Sequence, residues 1–180
     1  MRIIGGKYRG KKLWSPEGKE VRPTSDRARE SVFNILYSKL GGNYAETRLL
    51  DVFAGTGAFG FEAISRGCSH VTFVDIDTSL VAKNAKLFPQ ESGKISILKA
   101  NAAMLPKAVR KYNLVFMDAP YAKGLSQQAL QELAAKNWLD DRAVCIVEIR
   151  KDECWELPTA YELLDERVYG LARLLFLRKM

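Results

Sequence analysis

Short apolar runs alternate with amphipathic stretches along most of the chain. The apolar runs are rich in Val, Ile, Leu and Phe, and they predict strands at RLLDVF (48–53), HVTFVD (70–75), ISILKA (95–100), NLVFMD (113–118) and AVCIVEI (143–149). Helices are predicted between them near residues 58–66, 78–88, 102–110 and 125–136. Strands that are apolar throughout, and that alternate with helices, indicate a parallel sheet covered on both faces.

The two ends of the chain depart from this alternation. The segment RIIGGKYRGKKL predicts a small β-rich arm at the N-terminus, and a helix is predicted over residues 26–40. That helix has one apolar face, because its apolar residues recur at spacings of three and four: Ala28, Val32, Phe33, Leu36 and Leu40. At the C-terminal end, YELLDERVY and LARLLFLRK meet at Gly170 and predict an antiparallel hairpin.

The positive charge of the chain is concentrated near its beginning. The net charge is +7, and residues 1–30 hold nine Lys or Arg against four Asp or Glu, whereas residues 31–180 hold 19 against 17. A basic segment suits a phosphate backbone, since each neutralised phosphate releases counterions. Tyr8 and Trp14 lie within it and favour nucleic acid, because aromatic side chains can stack on bases. A solvated basic terminus is the simpler alternative. The candidate RNA-binding residues are Arg2, Lys7, Arg9, Lys11 and Lys12.

Several classes of protein are not expected from this composition. No apolar run approaches the roughly 20 residues of a membrane span, and the N-terminus lacks the apolar core of a secretory signal. The cysteines Cys68, Cys145 and Cys154 are widely spaced, with no metal-ligand spacing, which is typical of reduced intracellular thiols. The single histidine, His70, is predicted to lie in a loop or at the surface. A cytoplasmic protein without a metal is expected.

A glycine-rich turn follows the first predicted strand. Gly55, Gly57 and Gly60 have the G-x-G-x-x-G spacing, which lets a backbone turn tightly, approach a ligand and offer free N–H groups from the next helix. Asp75 ends the following strand, where a carboxylate can accept hydrogen bonds from ribose hydroxyls. The pattern predicts a nucleotide-type cofactor.

Two kinds of cofactor compete for that turn. A dinucleotide places its pyrophosphate at the helix N-terminus, whereas S-adenosylmethionine carries a sulfonium cation and an amino acid group. Asp51, four residues before Gly55, would repel a pyrophosphate but suits an ammonium or sulfonium group. This position favours S-adenosylmethionine over a nicotinamide cofactor, although a structural acid remains an alternative.

A second motif, DAPY, ends the fourth predicted strand. In an open α/β sheet the carboxyl ends of the strands face the ligand crevice. The Asp118 carboxylate and the Ala119 carbonyl could accept hydrogen bonds from an exocyclic amine and localise its lone pair. Pro120 would fix the turn, and Tyr121 could stack on the base. A strand that leaves the sheet through a proline turn is the alternative.

These motifs stand in a chain that resembles one family of class I S-adenosylmethionine-dependent methyltransferases nearly from end to end. RIIGGKYRGKKL, VRPTSDRARESVFNIL and LLDVFAGTGAFGFEAISRG are similar to successive blocks of the RsmD family, and VDID and DAPY follow in the expected order. Members of that family are bacterial enzymes that methylate the N2 amine of a guanine in the 16S ribosomal RNA of the small subunit. Most methyltransferases of this class lack the N-terminal blocks, which makes the resemblance specific.

The resemblance implies a fold, a division of the chain and a substrate. The fold is α/β, a Rossmann-like methyltransferase sheet that is mostly parallel, with a C-terminal antiparallel hairpin, helices on both faces and a small N-terminal β-rich arm. Residues 1–24 form the basic arm, and residues 25–180 form the class I methyltransferase domain. The expected partner is the small ribosomal subunit with its 16S rRNA, the expected cofactor is S-adenosylmethionine, and the expected state is a monomer.

The resemblance also implies roles for individual residues. The methionine part of the cofactor would be surrounded by Asp51, Ala54, Gly55, Thr56 and Gly57. The ribose and adenine would contact Asp75, Ile76, Asn101 and Ala102, and the pocket would be closed by Arg22 and Thr24. The target base would be held by the catalytic residues Asp118, Ala119, Pro120 and Tyr121. The family usually has two prolines where this chain has Ala119-Pro120, so a less rigid turn is expected.

Three other functions stay open at this point. An adenine N6-methyltransferase acting on DNA or RNA uses similar turns, so DAPY does not identify the base. A nicotinamide-dependent oxidoreductase shares the glycine spacing, and a non-catalytic RNA-binding module would explain the charge. The position of the modified nucleotide, and the choice between naked RNA and an assembled subunit as substrate, do not follow from the residues.

Overall fold

Among the described residues, 1–16, 26–120 and 124–180, seven strands pair into one sheet in this computed structural model. In chain order they are β1 (Arg48–Val52), β2 (His70–Asp75), β3 (Ile95–Lys99), β4 (Tyr112–Asp118), β5 (Leu139–Arg150), β6 (Tyr161–Tyr169) and β7 (Ala172–Lys179). Their order across the sheet is β3-β2-β1-β4-β5-β7-β6. All five strands predicted between residues 48 and 149 are confirmed, and β5 begins earlier than its apolar run.

The strand directions match the predicted arrangement. β1 is parallel to β2 and β4, and the pairs β2–β3 and β4–β5 are parallel as well. β7 is antiparallel to both β5 and β6, which confirms the C-terminal hairpin. The chain switches direction across the sheet between β1 and β4. Ligands of open α/β sheets bind outside the carboxyl ends of strands at such a switch point.

Helices cover both faces of the sheet. The described helices are α1 (Asp26–Lys39), α2 (Ala58–Ser65), α3 (Ser79–Ala85), a 3₁₀ helix η1 (Pro89–Lys94) and α4 (Leu125–Ala135). Phe33 of α1 and Phe61 of α2 pack in one apolar cluster, whereas Leu130 of α4 packs in another. Adjacent strand residues divide between the clusters, Leu49 in the first and Leu50 in the second, which is why β1 is apolar on both faces.

The helix predicted over residues 102–110 is wrong. This stretch forms turns and irregular backbone. Pro106 lacks an N–H group and disfavours a helical conformation in the residue before it. The Asn101 side-chain oxygen accepts a hydrogen bond from the Ala103 N–H (3.0 Å), and the Leu105 N–H donates to Glu132 of α4 (3.1 Å). Local turn chemistry and one contact with α4 therefore replace the helix. His70 also differs from its prediction, because it is buried within β2.

The N-terminal arm is a narrow antiparallel loop docked on the body. Its β structure is limited to one bridge between Arg2 and Lys12. Ile3 and Leu13 are buried in the same apolar cluster as α1 and α2. Ile4 and Gly5 donate their N–H groups to the buried Glu62 carboxylate of α2, at 2.7 and 2.8 Å. These contacts fix the arm beside α2, although the division of the chain at residue 24 stays a prediction.

Within the described ranges, no helix is both long enough and apolar enough to cross a bilayer.

Candidate functional site

A cavity of about 580 Å³ lies at the carboxyl ends of β1, β2 and β4. Its size is typical of small-molecule sites. It opens at the switch point of the sheet, where the predicted glycine loop and the DAPY turn meet. The predicted residues that line it are Asp51, Ala54, Gly55, Thr56, Asp75, Ile76, Asn101, Ala102, Asp118, Ala119 and Pro120.

The three glycines of the loop are needed for different structural reasons. Gly55 lines the cavity with a φ of 55°, and a Cβ added there would lie 4.0 Å from the Phe53 carbonyl oxygen, which is an ordinary contact. Gly57, with a φ of 75°, does not line the cavity; a Cβ there would lie 2.6 Å from the Phe61 ring. A Cβ at Gly60 would collide with the Phe73 ring of β2. The first glycine therefore leaves room for a ligand, and the other two allow α2 to pack closely on the sheet.

Asp75 ties the glycine loop to the end of β2. Its carboxylate accepts hydrogen bonds from the N–H groups of Gly55 (2.8 Å) and Asp77 (3.0 Å). An ionised carboxylate has about four acceptor sites, so it can still accept hydrogen bonds from a ligand's hydroxyl groups. Ile76, the next residue, is 69% exposed and offers an apolar surface at the cavity.

Asp51 is a buried acid at the base of the cavity. Its Oδ2 accepts a hydrogen bond from the Gly60 N–H at 2.9 Å. Burial raises the pKa of Asp51 to about 8, the Gly60 hydrogen bond opposes the rise, and the nearby Asp75 adds to it. A bound cation would offset the unfavourable burial of the ionised form.

Asp51 predicts a pH dependence of stability. Its ordinary pKa of 3.8 is raised in the folded protein to about 8. Its contribution to stability is therefore fully present below about pH 4 and is lost as the pH rises through about 8. We expect the free energy of unfolding of Asp51→Asn to fall less than that of the wild type between about pH 6 and pH 9. Urea denaturation at each pH measures this difference.

The exposed Asp141 gives the matched control for that measurement. Asp141→Asn should retain the wild-type pH dependence, because it removes one carboxylate at the surface and leaves the buried acids of the cavity in place. Because the charge of Asp51 also raises the pKa of Asp118, the difference between the slopes reports Asp51 together with its effect on Asp118. Equal slopes for the wild type and Asp51→Asn would contradict the assignment.

Asp118 ends β4 beside two other acids. It is the register partner of Glu148 in β5, and the two side chains therefore share one face of the sheet. Burial raises the pKa of Asp118 well above its ordinary value, and the charges of Glu148 and Asp51 raise it further. Ala119 is buried, and Pro120 is exposed at the mouth of the cavity. The site therefore brings together acids whose ionised forms a cationic ligand would stabilise.

Three of the predicted site residues lie outside the described residues. These are Arg22, Thr24 and Tyr121, and their roles stay predictions.

Some residues that line the cavity were not predicted from the sequence. Phe53, Phe59 and Phe116 line the cavity, and the rings of Phe59 and Phe116 stack at 3.7 Å between centroids. Phe116 lies two residues before Asp118 and so shares its face of β4. Arg29 of α1 is a further lining residue. A signal for it existed, because Arg29 precedes Val32 and Phe33 by three and four residues and thus places a charge on the apolar face of α1.

The predicted RNA-binding residues of the arm differ in their contacts. Lys7 pairs with Glu91 (2.8 Å), Lys11 donates to the Leu87 carbonyl (2.7 Å), and Arg2 pairs with Asp26 (3.3 Å). Lys7 and Lys11 therefore help to dock the arm on the body. Arg9 and Lys12 are exposed, and no ion pair is described for either of them in residues 1–16, 26–120 and 124–180.

The chain matches a family model nearly from end to end. Residues 1–178 match the model described as conserved hypothetical protein 95. The ribosomal RNA small subunit methyltransferase D of Escherichia coli is 34% identical over 173 residues, which is 94% of this chain and 85% of that protein. The protein of the same name from Haemophilus influenzae is 33% identical over 177 residues, 95% of this chain and 90% of that one.

Solved structures share the fold. An Escherichia coli protein described provisionally as a methyltransferase superposes with a TM-score of 0.81 and 31% identity, covering 99% of this chain and 97% of its own. TrmN of Thermus thermophilus has a similar fold, with a TM-score of 0.67 and 21% identity, over 85% of this chain and 48% of that one.

Proposed function

The chain belongs to the RsmD family of small-subunit ribosomal RNA methyltransferases, and from that premise we propose that it transfers a methyl group from S-adenosylmethionine to the N2 amine of a guanine in 16S rRNA. The observation that carries the proposal is the meeting of two motifs at one cavity. The glycine loop after β1 and the DAPY turn after β4 both line it, because β1 and β4 are neighbours in the sheet.

The residues of the cavity fit S-adenosylmethionine. Gly55 lines the cavity without a side chain, and Asp75 retains acceptor sites for ribose hydroxyls. Ile76 presents an apolar surface suited to the adenine ring. A sulfonium or ammonium group would stabilise the ionised form of Asp51, which burial otherwise disfavours. A pyrophosphate would instead meet repulsion from these acids, which disfavours a nicotinamide cofactor.

The reaction follows from the acceptors at the end of β4. Bound S-adenosylmethionine would supply a methyl group on a positively charged sulfur: the carbon–sulfur bond would break as the guanine nitrogen bonds to that carbon, and S-adenosylhomocysteine would leave as a neutral thioether. The guanine amine is a weak nucleophile because its lone pair is delocalised into the ring. The Asp118 carboxylate and the Ala119 carbonyl accept hydrogen bonds from its two N–H groups and localise that lone pair. Because these acceptors are fixed by β4, little reorganisation is needed during the reaction.

The amine loses one proton during the transfer. Asp118 in its ionised form would accept this proton, because burial and the neighbouring Glu148 raise its affinity for a proton. Asp118 then passes the proton to water. Pro120 at the cavity mouth and Tyr121 hold the target base, which must leave its stack to reach the cavity. The expected location is the cytoplasm, where small ribosomal subunits are assembled.

One labelling experiment tests the function. The protein is incubated with tritiated S-adenosylmethionine and small ribosomal subunits from a strain that lacks its own copy of such an enzyme. The RNA is then digested, and the labelled nucleoside is identified. Label in N2-methylguanosine is expected. Label in N6-methyladenosine would instead identify adenine as the target base. Absence of label while S-adenosylmethionine still binds would contradict the assignment of the small ribosomal subunit as substrate. Free RNA and DNA would then be tested.

The exposed cations of the arm are expected to bind RNA backbone. The double variant Arg9→Ala, Lys12→Ala should weaken RNA binding by about 10- to 50-fold at about 0.1 M salt, because two phosphate contacts are lost. The slope of log affinity against log salt should fall by about 1.5 to 2 for the same reason. Filter binding to 16S rRNA fragments at several salt concentrations measures both quantities.

Exposed cations that are outside the arm and do not line the cavity provide the control. Lys111 precedes β4 and Lys39 ends α1, and both are exposed. A double variant Lys39→Ala, Lys111→Ala removes the same charge away from the cavity and should keep the wild-type salt slope. Equal weakening by both double variants would mean that only net charge matters, and the arm would then not be the binding surface.

A further inference from the structure

Arg29 is a buried cation in the wall of the cavity. It lies on the apolar face of α1, its side chain is 2% exposed, and it lines the same cavity as Asp51 and Asp118. A charged side chain is almost never buried unless it is paired, because removal from water is unfavourable. The partners of Arg29 therefore decide whether it serves the fold alone.

The described partners of Arg29 leave part of its guanidinium unused. Its Nη2 donates to the Arg2 carbonyl (2.6 Å) and to the Asp26 carboxylate (3.2 Å). Its Nε is buried and has no hydrogen-bond partner among the described residues. The Glu62 carboxylate is 3.9 Å from Nε, which is too long for a hydrogen bond.

Glu62 is already occupied by other donors. Its two oxygens accept hydrogen bonds from the N–H groups of Ile4 and Gly5, and Oε1 also pairs with Nε of Arg66 at 2.7 Å. Glu62 thus compensates Arg66 at short range and Arg29 only at long range. Burial lowers the pKa of Arg29 although the charges of Glu62 and Asp26 raise it, so these two carboxylates compensate the buried guanidinium only in part.

The charges around the cavity are complementary to one class of ligand. The other ionisable side chains in its described lining are the acids Asp51, Asp75 and Asp118, and Arg29 is the only basic side chain in that part of the lining. S-adenosylmethionine carries two cationic groups and one carboxylate. The acids match its cations, and a single basic side chain matches its carboxylate. A planar guanidinium is suited to a carboxylate because it can donate two parallel hydrogen bonds.

We propose that Arg29 is the residue that binds the carboxylate of the methionine part of S-adenosylmethionine. The inference rests on the proposed function, since it takes the cofactor from there. It adds a contact from α1, so that the helix following the basic arm participates in cofactor binding. Arg29 acts here as a binding residue and takes no part in the proton transfer.

A pair of ligands that differ only in the carboxylate tests the proposal. Isothermal titration calorimetry compares S-adenosylmethionine with its decarboxylated analogue, which keeps the sulfonium and the amine. The wild type should bind S-adenosylmethionine about 10- to 100-fold more tightly than the analogue, because one charge-assisted contact is lost. In Arg29→Gln, the two affinities should agree to within about threefold, because the partner of the carboxylate is gone.

Arg66→Gln is the matched control. Arg66 shares Glu62 with Arg29, but it does not line the cavity. Its replacement should leave the ratio of the two affinities at the wild-type value even where the protein is destabilised. Far-UV circular dichroism and thermal unfolding show whether each variant folds. If Arg29→Gln does not fold, the ratio of the two ligand affinities is measured in Arg29→Lys and compared with the wild-type ratio.

Three results would overturn the proposal, and they separate it from the proposed function. Equal binding of both ligands by the wild type would show that no residue binds the carboxylate. An unchanged ratio in a folded Arg29→Gln variant would assign that contact to another residue. Failure of the wild type to bind either ligand would overturn the cofactor itself, and with it the proposed function.

Discussion

Replacement of Asp118 by Ala is expected to lower the rate of methyl transfer by about 10²- to 10³-fold, because one preorganised acceptor of the target amine is lost. The affinity for S-adenosylmethionine should change by less than about threefold, since most cofactor contacts come from the glycine loop and the end of β2. Single-turnover assays with labelled S-adenosylmethionine measure the rate, and calorimetry measures the affinity.

The acid cluster makes this variant unusually easy to interpret. Burial and the charges of Glu148 and Asp51 disfavour the ionised form of Asp118, as its raised pKa indicates. Loss of the carboxyl group therefore relieves repulsion, and we expect the variant to be at least as stable as the wild type. A loss of rate without a loss of stability would separate catalysis from folding. This pattern is common where an active site keeps unfavourably placed groups for function.

Two further variants complete the test of Asp118. Asp118→Asn keeps the shape and one acceptor oxygen but removes the charge, so its rate should lie between those of the wild type and Asp118→Ala. Asp141→Ala removes an exposed aspartate of β5 and should have the wild-type rate. A near-wild-type rate for a properly folded Asp118→Ala variant would contradict the assignment of Asp118 as a catalytic residue.

Replacement of Glu62 by Ala is expected to have the largest effect on stability. Glu62 is fully buried, and its carboxylate accepts the N–H groups of Ile4 and Gly5 while it compensates Arg66. The variant would leave buried donors and a positive charge unpaired. Removal of one partner from a buried ion pair lowers the free energy of unfolding by about 3–5 kcal/mol. Urea denaturation, with the same slope assumed for both proteins, measures the difference.

The same variant should release the N-terminal arm. Without the Glu62 carboxylate, the backbone of Ile4 and Gly5 loses its described acceptor on α2. Limited trypsin digestion should then cleave at Arg9 or Lys12 faster than in the wild type, because a detached arm is accessible to protease. Mass spectrometry of the products identifies the cleavage site.

The exposed Glu46 supplies the control for Glu62. Glu46→Ala should change the free energy of unfolding by less than about 0.5 kcal/mol, as is usual for surface positions. It should also leave the rate of cleavage in the arm unchanged. A change of less than about 1 kcal/mol for Glu62→Ala would mean that the arm is held mainly by Ile3 and Leu13 in the apolar cluster.

Features with a local cause could be predicted from the sequence. The periodicity of apolar residues predicted α1, and apolar runs predicted the strands, because burial of a face imposes a pattern on neighbouring positions. The glycine spacing predicted the turn after β1, since positive φ at Gly55 and Gly57 is a property of the backbone itself. The resemblance to the RsmD family rests on the same local blocks, and the family match confirms it.

Predictions failed where the outcome depended on a competing local or distant contact. The stretch 102–110 has helix-forming residues, but Pro106 and the turn at Asn101 prevent a helix there. His70 looked like a surface residue, yet β2 lies inside the sheet between β1 and β3 and so buries it.

The sequence by itself determined the order of the elements, the two motifs and the family. The tertiary structure alone decided which side chains meet. Parallel neighbours β1 and β4 bring Asp51 and Asp118 to one cavity, and their shared burial raises both pKa values. Docking of the arm uses Lys7 and Lys11 in contacts with the body and leaves Arg29 under-partnered at the cavity wall. Such effects depend on distances between residues far apart in the chain, and no local pattern encodes them.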